Sequence, residues 1–356
     1  MGWLSGYNTR RKLTIDSTKI DSNLSDFPVL VKLTSSNFDF SKANSDGYDI
    51  RFTSSDGTTL LKYERERHDS ANQVAEYWVK IPSVSASADT EFYIYYRTTD
   101  TADGADPTNV WDSNFKGVWH LKESGNGTAD EFKDSTANAN HGTGGSGTSQ
   151  NDGTPSQADG KIGKCQEFDA ANDERIEIPA DATLKPDYIT LEAWCNRTSG
   201  EPLVMKAWSD TGWTSPWDNY VLKTTNDVKS SARFVNESQT RVDFAGSTTG
   251  SNGTWYYFVA TFDGSKGRVY RNGSEDGSVD LTGTLGKRDT TVNIGGLNPG
   301  TGVDWYFTGK IDEVRISNIA RSAAWLKASY NSGNDTLLTY GSEEEAAAGH
   351  SYGYIF

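Results

Sequence analysis

Cysteine, methionine and histidine are all scarce in this chain, and each scarcity narrows what it can be. Two cysteines, Cys165 and Cys195, cannot supply the framework of bridges that holds a small secreted scaffold together. Both fall in predicted strands of one domain, so a disulfide is geometrically possible but spacing does not establish it, and two free thiols are the alternative. The four histidines, His68, His120, His141 and His350, stand singly, which excludes a histidine metal centre of local spacing. His120, inside an apolar strand, reads as a hydrogen-bonded core residue. No Gly-x-Ser-x-Gly elbow and no phosphate-cradling glycine loop occurs. No stretch approaches the ~20 apolar residues that cross a bilayer, which argues against membrane insertion. The first ten residues lack the apolar segment and small-residue cleavage site of a secretory leader. Either a leader has been removed or none was used, and the second option suits a particle assembled in the cytoplasm and released by lysis. Basic side chains are outnumbered, 34 Lys and Arg against 49 Asp and Glu, for a net charge of −15. Phosphate repulsion at long range then excludes a nucleic-acid partner.

What the chain has in quantity is aromatics, with 11 Trp, 17 Tyr and 14 Phe, and 35 glycines between short alternating apolar segments. That combination predicts an all-β protein with many turns. Strands are expected at Arg11–Ile15, Val29–Leu33, Ile50–Phe52, Glu76–Ile81 and Glu91–Tyr96, forming a β-sandwich over residues 1–109 that closes with a polar linker from Thr98 to Asn109. A larger sandwich is expected over 110–342, with strands such as Gly117–Leu121, Ile189–Trp194, Trp255–Phe262 and Val269–Arg271, and with residues 142–160 as a long surface loop. One helix is predicted near Ser322–Tyr330, with Ser322 as its N-cap. Residues 343–356 read as a separate tail, opening on three glutamates and ending in aromatic and aliphatic side chains.

Strict alternation along Phe307–Ile316 places Asp312 on one face with Val314 and Ile316, and Ile311, Glu313 and Arg315 on the other. A carboxylate among aliphatics needs a basic partner, several N–H donors or a metal ion. This strand is the last of an ordered set. Before it come Gly117–Leu121, Asp134–Gly142, Cys165–Asp169, Ile189–Trp194, Trp255–Gly264 and Val269–Gly273. In that order they resemble the LamG-like, concanavalin A-type jelly roll of lectins and glucanases. Gly6–Arg11, Phe27–Val31, Gly47–Phe52 and Phe92–Tyr96 resemble a small β-rich module of unassigned function that precedes such jelly rolls in bacterial, archaeal and phage surface proteins. The resemblance implies a structural calcium ion at Asp312, with Asp134 as second candidate, since calcium collects about six to eight oxygens and one or two carboxylates suffice. The alternative for Asp312 is a salt bridge or backbone cap.

The glucanases of that family carry Glu-x-Asp-x-x-Glu on one strand, and it is absent here. The close pairs Glu64/Glu66 and Asp173/Glu174 are badly placed for the same work, so no hydrolytic activity is expected. Binding remains. Trp208, Trp213, Trp217 and Tyr220, set among Asp, Ser and Asn, offer ring faces and polar edges suited to a sugar, against the plainer reading that they pack over the sandwich end. Arg233, Asn236 and Arg241 are further candidates for that face. The expectation is a non-enzymatic, lectin-like surface protein, extracellular and most naturally on a virion, binding glycan or host surface as an oligomer or part of an assembly. Two other readings stand beside it. One is a purely structural decoration protein that contacts neighbouring subunits through Tyr352, Tyr354, Ile355 and Phe356. The other is a divergent carbohydrate-active enzyme.

Overall fold

The computed structural model describes residues 2–98, 102–145, 153–207, 218–297 and 305–347. Among the described residues the protein is all-β apart from one helix and some short 3-10 turns, and it divides into two compact units. The first is built from residues up to Asp112 and again from Asn331 onward. The second runs from Ser113 to Tyr330.

In the first unit two antiparallel sheets enclose a core of Leu13, Ile15, Val29, Val31, Phe52, Tyr77, Val79 and Ile94. One sheet orders Leu338–Glu345, Thr9–Ile15, Thr90–Tyr96 and Arg51–Ser54, and the other Leu24–Thr34, Val74–Val84 and Tyr63–Asp69. The boundary expected at residue 342 is therefore corrected. Leu338–Glu345 lies antiparallel to Thr9–Ile15, with Glu344 opposite Arg10 and Glu343 opposite Arg11. The acidic run opens no tail, because it answers the basic residues of the first unit. Arg10 binds Glu344 at 2.7 Å, Tyr96 donates to Glu343 at 2.7 Å, Lys42 pairs with Glu343, and Arg97 meets Glu345 at 3.0 Å. Tyr352, Tyr354, Ile355 and Phe356 lie outside the described residues.

His68, on the Tyr63–Asp69 strand, sits 2.6 Å from the Tyr77 hydroxyl through Nδ1. Burial, reinforced by Arg65, pushes its imidazole down to about 4. Unfolded, it takes up a proton near about 6.5. Between those values the unfolded chain binds more protons, so stability falls as pH drops through the window. Lowering pH from 6.5 to 5 should cost this unit about 1.5 kcal/mol. Denaturant melts of His68→Gln should lose most of that slope; an unchanged slope would contradict the assignment.

The second unit is a two-sheet sandwich. One sheet runs Ser274–Asp280, Lys266–Arg271, Trp255–Phe262, Ile189–Gly200, Trp305–Ser317, Lys164–Phe168 and Ser156–Asp159, with Phe115–Trp119 and Gly296–Leu297 also on Trp305–Ser317. The other runs Arg241–Ala245, Ser230–Val235, Asp218–Thr224, Pro202–Ala207, Val292–Ile294, Ile176–Ile178 and Thr143–Gly144. Leu191, Ala193, Phe258, Ala260, Ile311, Val314 and Ile316 from the first meet Val204, Tyr220, Leu222, Phe234 and Ile294 from the second. Cys165 and Cys195 are both buried free thiols.

The helix Ala323–Gly333 starts as expected, with Ser322 Oγ accepting from Trp325 N–H at 3.2 Å. It covers the outer side of the larger sheet. Tyr330 stacks on Trp194 at 5.7 Å, while Trp325 packs against Phe115, with Arg321 over both rings. The outer side of the seven-stranded sheet has no such helix over it among the described residues.

Candidate functional site

The alternation expected along Phe307–Ile316 breaks at Glu313. That residue takes a left-handed φ of +53°, and the pairing with Ile189–Gly200 slips between Glu192/Arg315 and Trp194/Asp312. The bulge adds one residue, so Ile311, Val314 and Ile316 all face the core and Asp312 is turned to the opposite side, a correction to the expected grouping. Asp312 is fully buried there. Its Oδ2 accepts the N–H groups of Lys161 at 2.8 Å and Ile162 at 2.9 Å, the backbone-cap alternative. Glu313, displaced by the bulge, bonds His120 Nδ1 at 2.7 Å and Arg315 at 2.6 Å. Burial alone would raise the Glu313 carboxyl, yet His120 and Arg315 outweigh it and hold it below the usual carboxylate range.

Asp134 serves a different loop. Its Oδ1 accepts Val118 N–H and Thr136 N–H, both at 2.9 Å, and its Oδ2 accepts the Thr136 hydroxyl and Asn140 N–H, both at 2.8 Å. A carboxylate has about four lone-pair sites, and all four are taken by donors. A shell of N–H and O–H groups does the job a cation would do and repels one, so Asp134 does not fit a calcium ligand. Asp312 and Asp134, the first and second calcium candidates, are held by separate sets of N–H donors.

Among the expected ligand-binding side chains, Trp208, Trp213 and Trp217 lie outside the described residues. Tyr220 is corrected to a core residue. It is fully buried in the sandwich and its hydroxyl donates to the Leu184 carbonyl at 3.0 Å. Pairing with Phe234 and Lys206 sets its inward direction.

A polar cluster does form on the outer side of the seven-stranded sheet, from residues that alternate away from the core. Arg233, opposite both Val221 and Asp243, donates to Asp218 at 2.6 Å and to Asp243 at 2.7 and 2.9 Å. Lys223 lies 3.3 Å from Asp243 and 3.5 Å from Glu201. Against this network stands the half-buried indole of Trp305, with the Arg233 guanidinium 5.3 Å and the Lys223 ammonium 5.5 Å from its ring centre. Beneath it, Met205, Ala207 and Val221 form a small apolar floor that Trp305 and Leu297 partly cover. Arg241 and Asp243 are exposed at the sheet edge. Arg233 and Arg241 thus share a face as expected, while Asn236 spends its side chain on Thr282 O and Thr240 N–H, each at 2.8 Å. Burial pushes the Asp243 carboxyl up, but Arg233 and Lys223 pull harder and leave it lowered. Trp305, Asp218, Lys223 and Asp243 were missed in the sequence. The available signal was charge at every second position, as in Arg241-x-Asp243 beside Arg233.

A sandwich of this strand order, with a helix on one sheet and a polar, tryptophan-bearing face on the other, can be set against known families. Residues 170–327 match the concanavalin A-like lectin/glucanases superfamily. Residues 46–140 match a domain of unknown function, DUF2341. Both agree with the resemblances read from the sequence, and the first fixes the larger fold as concanavalin A-like. No curated protein matches the chain. Among solved structures, similarity extends to domain 4 of AbnA, an extracellular GH43 arabinanase from Geobacillus stearothermophilus solved with arabinotriose, at 17% identity and a TM-score of 0.44 over 63% of this chain and 98% of that one. It extends also to the binding domain of Paraclostridial Mosquitocidal Protein 1, at 13% identity and 0.45 over 62% and 52%. The botulinum neurotoxin serotype G binding domain follows at 11% and 0.43 over 61% and 50%. This chain thus spans about half of each toxin domain.

Proposed function

We propose that the concanavalin A-like unit is a non-enzymatic glycan-binding module, displayed on an extracellular surface such as that of a virus particle. The observation that carries this reading is Trp305, a half-buried indole on the sheet face that has no helix over it among the described residues, flanked by Arg233 and Lys223 over an apolar floor. An indole accepts the C–H-rich face of a sugar ring, and the surrounding guanidinium, ammonium and carboxylates meet its hydroxyls at the edge. The nearest carboxylates suit binding better than hydrolysis. A glycosidase needs one carboxyl protonated as the acid. Asp218 and Asp243 both hold Arg233, and Asp243 is kept ionised at neutral pH. The net charge of −15 fits a neutral or cationic partner and a protein that stays dispersed outside the cell.

Glycan-array binding followed by calorimetry tests the reading. Trp305→Ala should weaken binding to the preferred oligosaccharide about 30-fold, equivalent to roughly 2 kcal/mol, with the fold intact by circular dichroism. Equal binding by the variant would remove the site, and release of reducing sugar from a polysaccharide panel would overturn the non-enzymatic assignment.

A further inference from the structure

Asn219 is the extra residue of a bulge in Asp218–Thr224, where the pairing slips between Lys206/Tyr220 and Ala207/Asp218. Only 1% of its surface is exposed, yet neither its carboxamide oxygen nor its nitrogen has a hydrogen-bond partner. A buried primary amide with all its capacity unused is rare and costly, because water has been stripped from both ends without replacement. Asn219 lines a pocket of about 320 Å³, together with Val235, Glu237, Gln239, Gly286 and Arg288. Both amide atoms are shielded from solvent, so a ligand reaches them by displacing a neighbouring side chain at the rim, and Gly286, where an added Cβ would stand 3.4 Å from Asn219 Oδ1, adds no side chain to that barrier.

The backbone of the walls is hydrogen-bonded. Asn236 closes its own turn through Thr240 N–H and ties that turn to Thr282 O, while Gly286 N–H bonds Val235 O at 3.0 Å and Glu237 N–H bonds Thr284 O at 2.9 Å. The hairpin end and the 282–286 segment therefore hold the cavity open without a ligand. Its volume is at the lower end for small-molecule sites, about 300 to 1,000 Å³, which limits the occupant to roughly one sugar ring or a group of that size.

We propose that this pocket is a second sugar site, taking one neutral pyranose residue through a pair of adjacent hydroxyls. A carboxamide donates from nitrogen and accepts at oxygen, and a vicinal diol offers the complementary acceptor and donor in one rigid unit. The rim carries Arg288 and Glu237, one charge of each sign, with Gln239 between donor and acceptor roles. A phosphate or carboxylate ligand would gain one cation and face one anion, whereas hydroxyls bond to both. Lys287 adds no free charge because its ammonium already holds Asp187 and the Lys185 carbonyl. The site stands on these observations and not on the Trp305 face.

Saturation-transfer NMR and calorimetry on the full chain with D-glucose, D-galactose, D-mannose and L-fucose test it. At least one free sugar should bind wild type. Asn219→Ala should weaken that sugar at least tenfold while the melting temperature holds or rises, because the amide makes no bond inside the protein. Gly286→Ala, which narrows the approach, should weaken it as well. Absence of binding by every sugar in the panel would mean that water alone meets the amide and would overturn the proposal, as would equal binding by Asn219→Ala. The two sites are read apart. Oligosaccharide binding lost in Trp305→Ala with no monosaccharide binding leaves the open face and removes the pocket, and the reverse pattern leaves the pocket and removes the open face.

Discussion

Asp134→Ala should lower the unfolding free energy of the concanavalin A-like unit by about 4 kcal/mol, and EDTA should leave wild type unmoved. The cost comes from the donors left behind. Val118, Thr136 and Asn140 N–H groups and the Thr136 hydroxyl converge on one carboxylate that is 5% exposed. Burial nevertheless pushes the carboxyl itself above its usual range. Each buried donor deprived of a partner costs about 1–3 kcal/mol, with partial relief as the loop relaxes. Asp134→Asn restores one oxygen and sets an NH₂ group against the donors that met the other, so it should recover less than half. Urea unfolding with and without chelator checks both statements. A wild-type midpoint that falls in EDTA to the level of the variant would show that a metal ion, and not the amides, neutralises this carboxylate.

Arg315→Met should be comparably severe, at about 3–5 kcal/mol, because removing one member of a buried ion pair strands the other. Glu313 is 1% exposed and its Oε2 is 2.6 Å from the guanidinium. On its other side His120 lies 2.7 Å away, and it carries charge only when protonated. In the variant the Glu313 carboxyl should rise above its unfolded value. Its protonated form is then the tolerated one, so the deficit is smallest below about pH 4.3 and grows as pH climbs through the raised value. Denaturant midpoints at pH 5 and pH 8 should therefore diverge for Arg315→Met more than for wild type. Glu313→Gln in the same chain should reduce the divergence, since Glu192, also buried beside Arg315, stays in place, and parallel behaviour of variant and wild type would contradict the pairing.

Much of the architecture was legible because alternation is a local property. The strands around Leu13, Val31, Trp194 and Phe258, and the helix capped by Ser322, needed only period and turn chemistry. What escaped depends on contacts distant in sequence. The Glu343–Glu345 run looks like a solvated tail until Arg10, Lys42 and Arg97 are brought opposite it, about 250 to 330 residues away by chain. The Glu313 bulge moved Asp312 out of the aliphatic row, and a one-residue insertion leaves no mark in a pattern of alternating polar and apolar letters. Tyr220 read as a sugar platform because its neighbours are tryptophans, whereas its register with Phe234 turns it inward. Trp305 carried no local signal at all. Its role arises from Lys223 and Arg233, two strands of the opposite sheet.

The most direct measurement is a crystal structure with the best oligosaccharide from the array bound. The account predicts a sugar ring against the Trp305 indole, with hydroxyls on Arg233, Asp243 or Lys223 and the seven-stranded sheet beneath. A ligand seated on the helix-covered sheet, or none in crystals whose Trp305 face is free of lattice contacts, would contradict it.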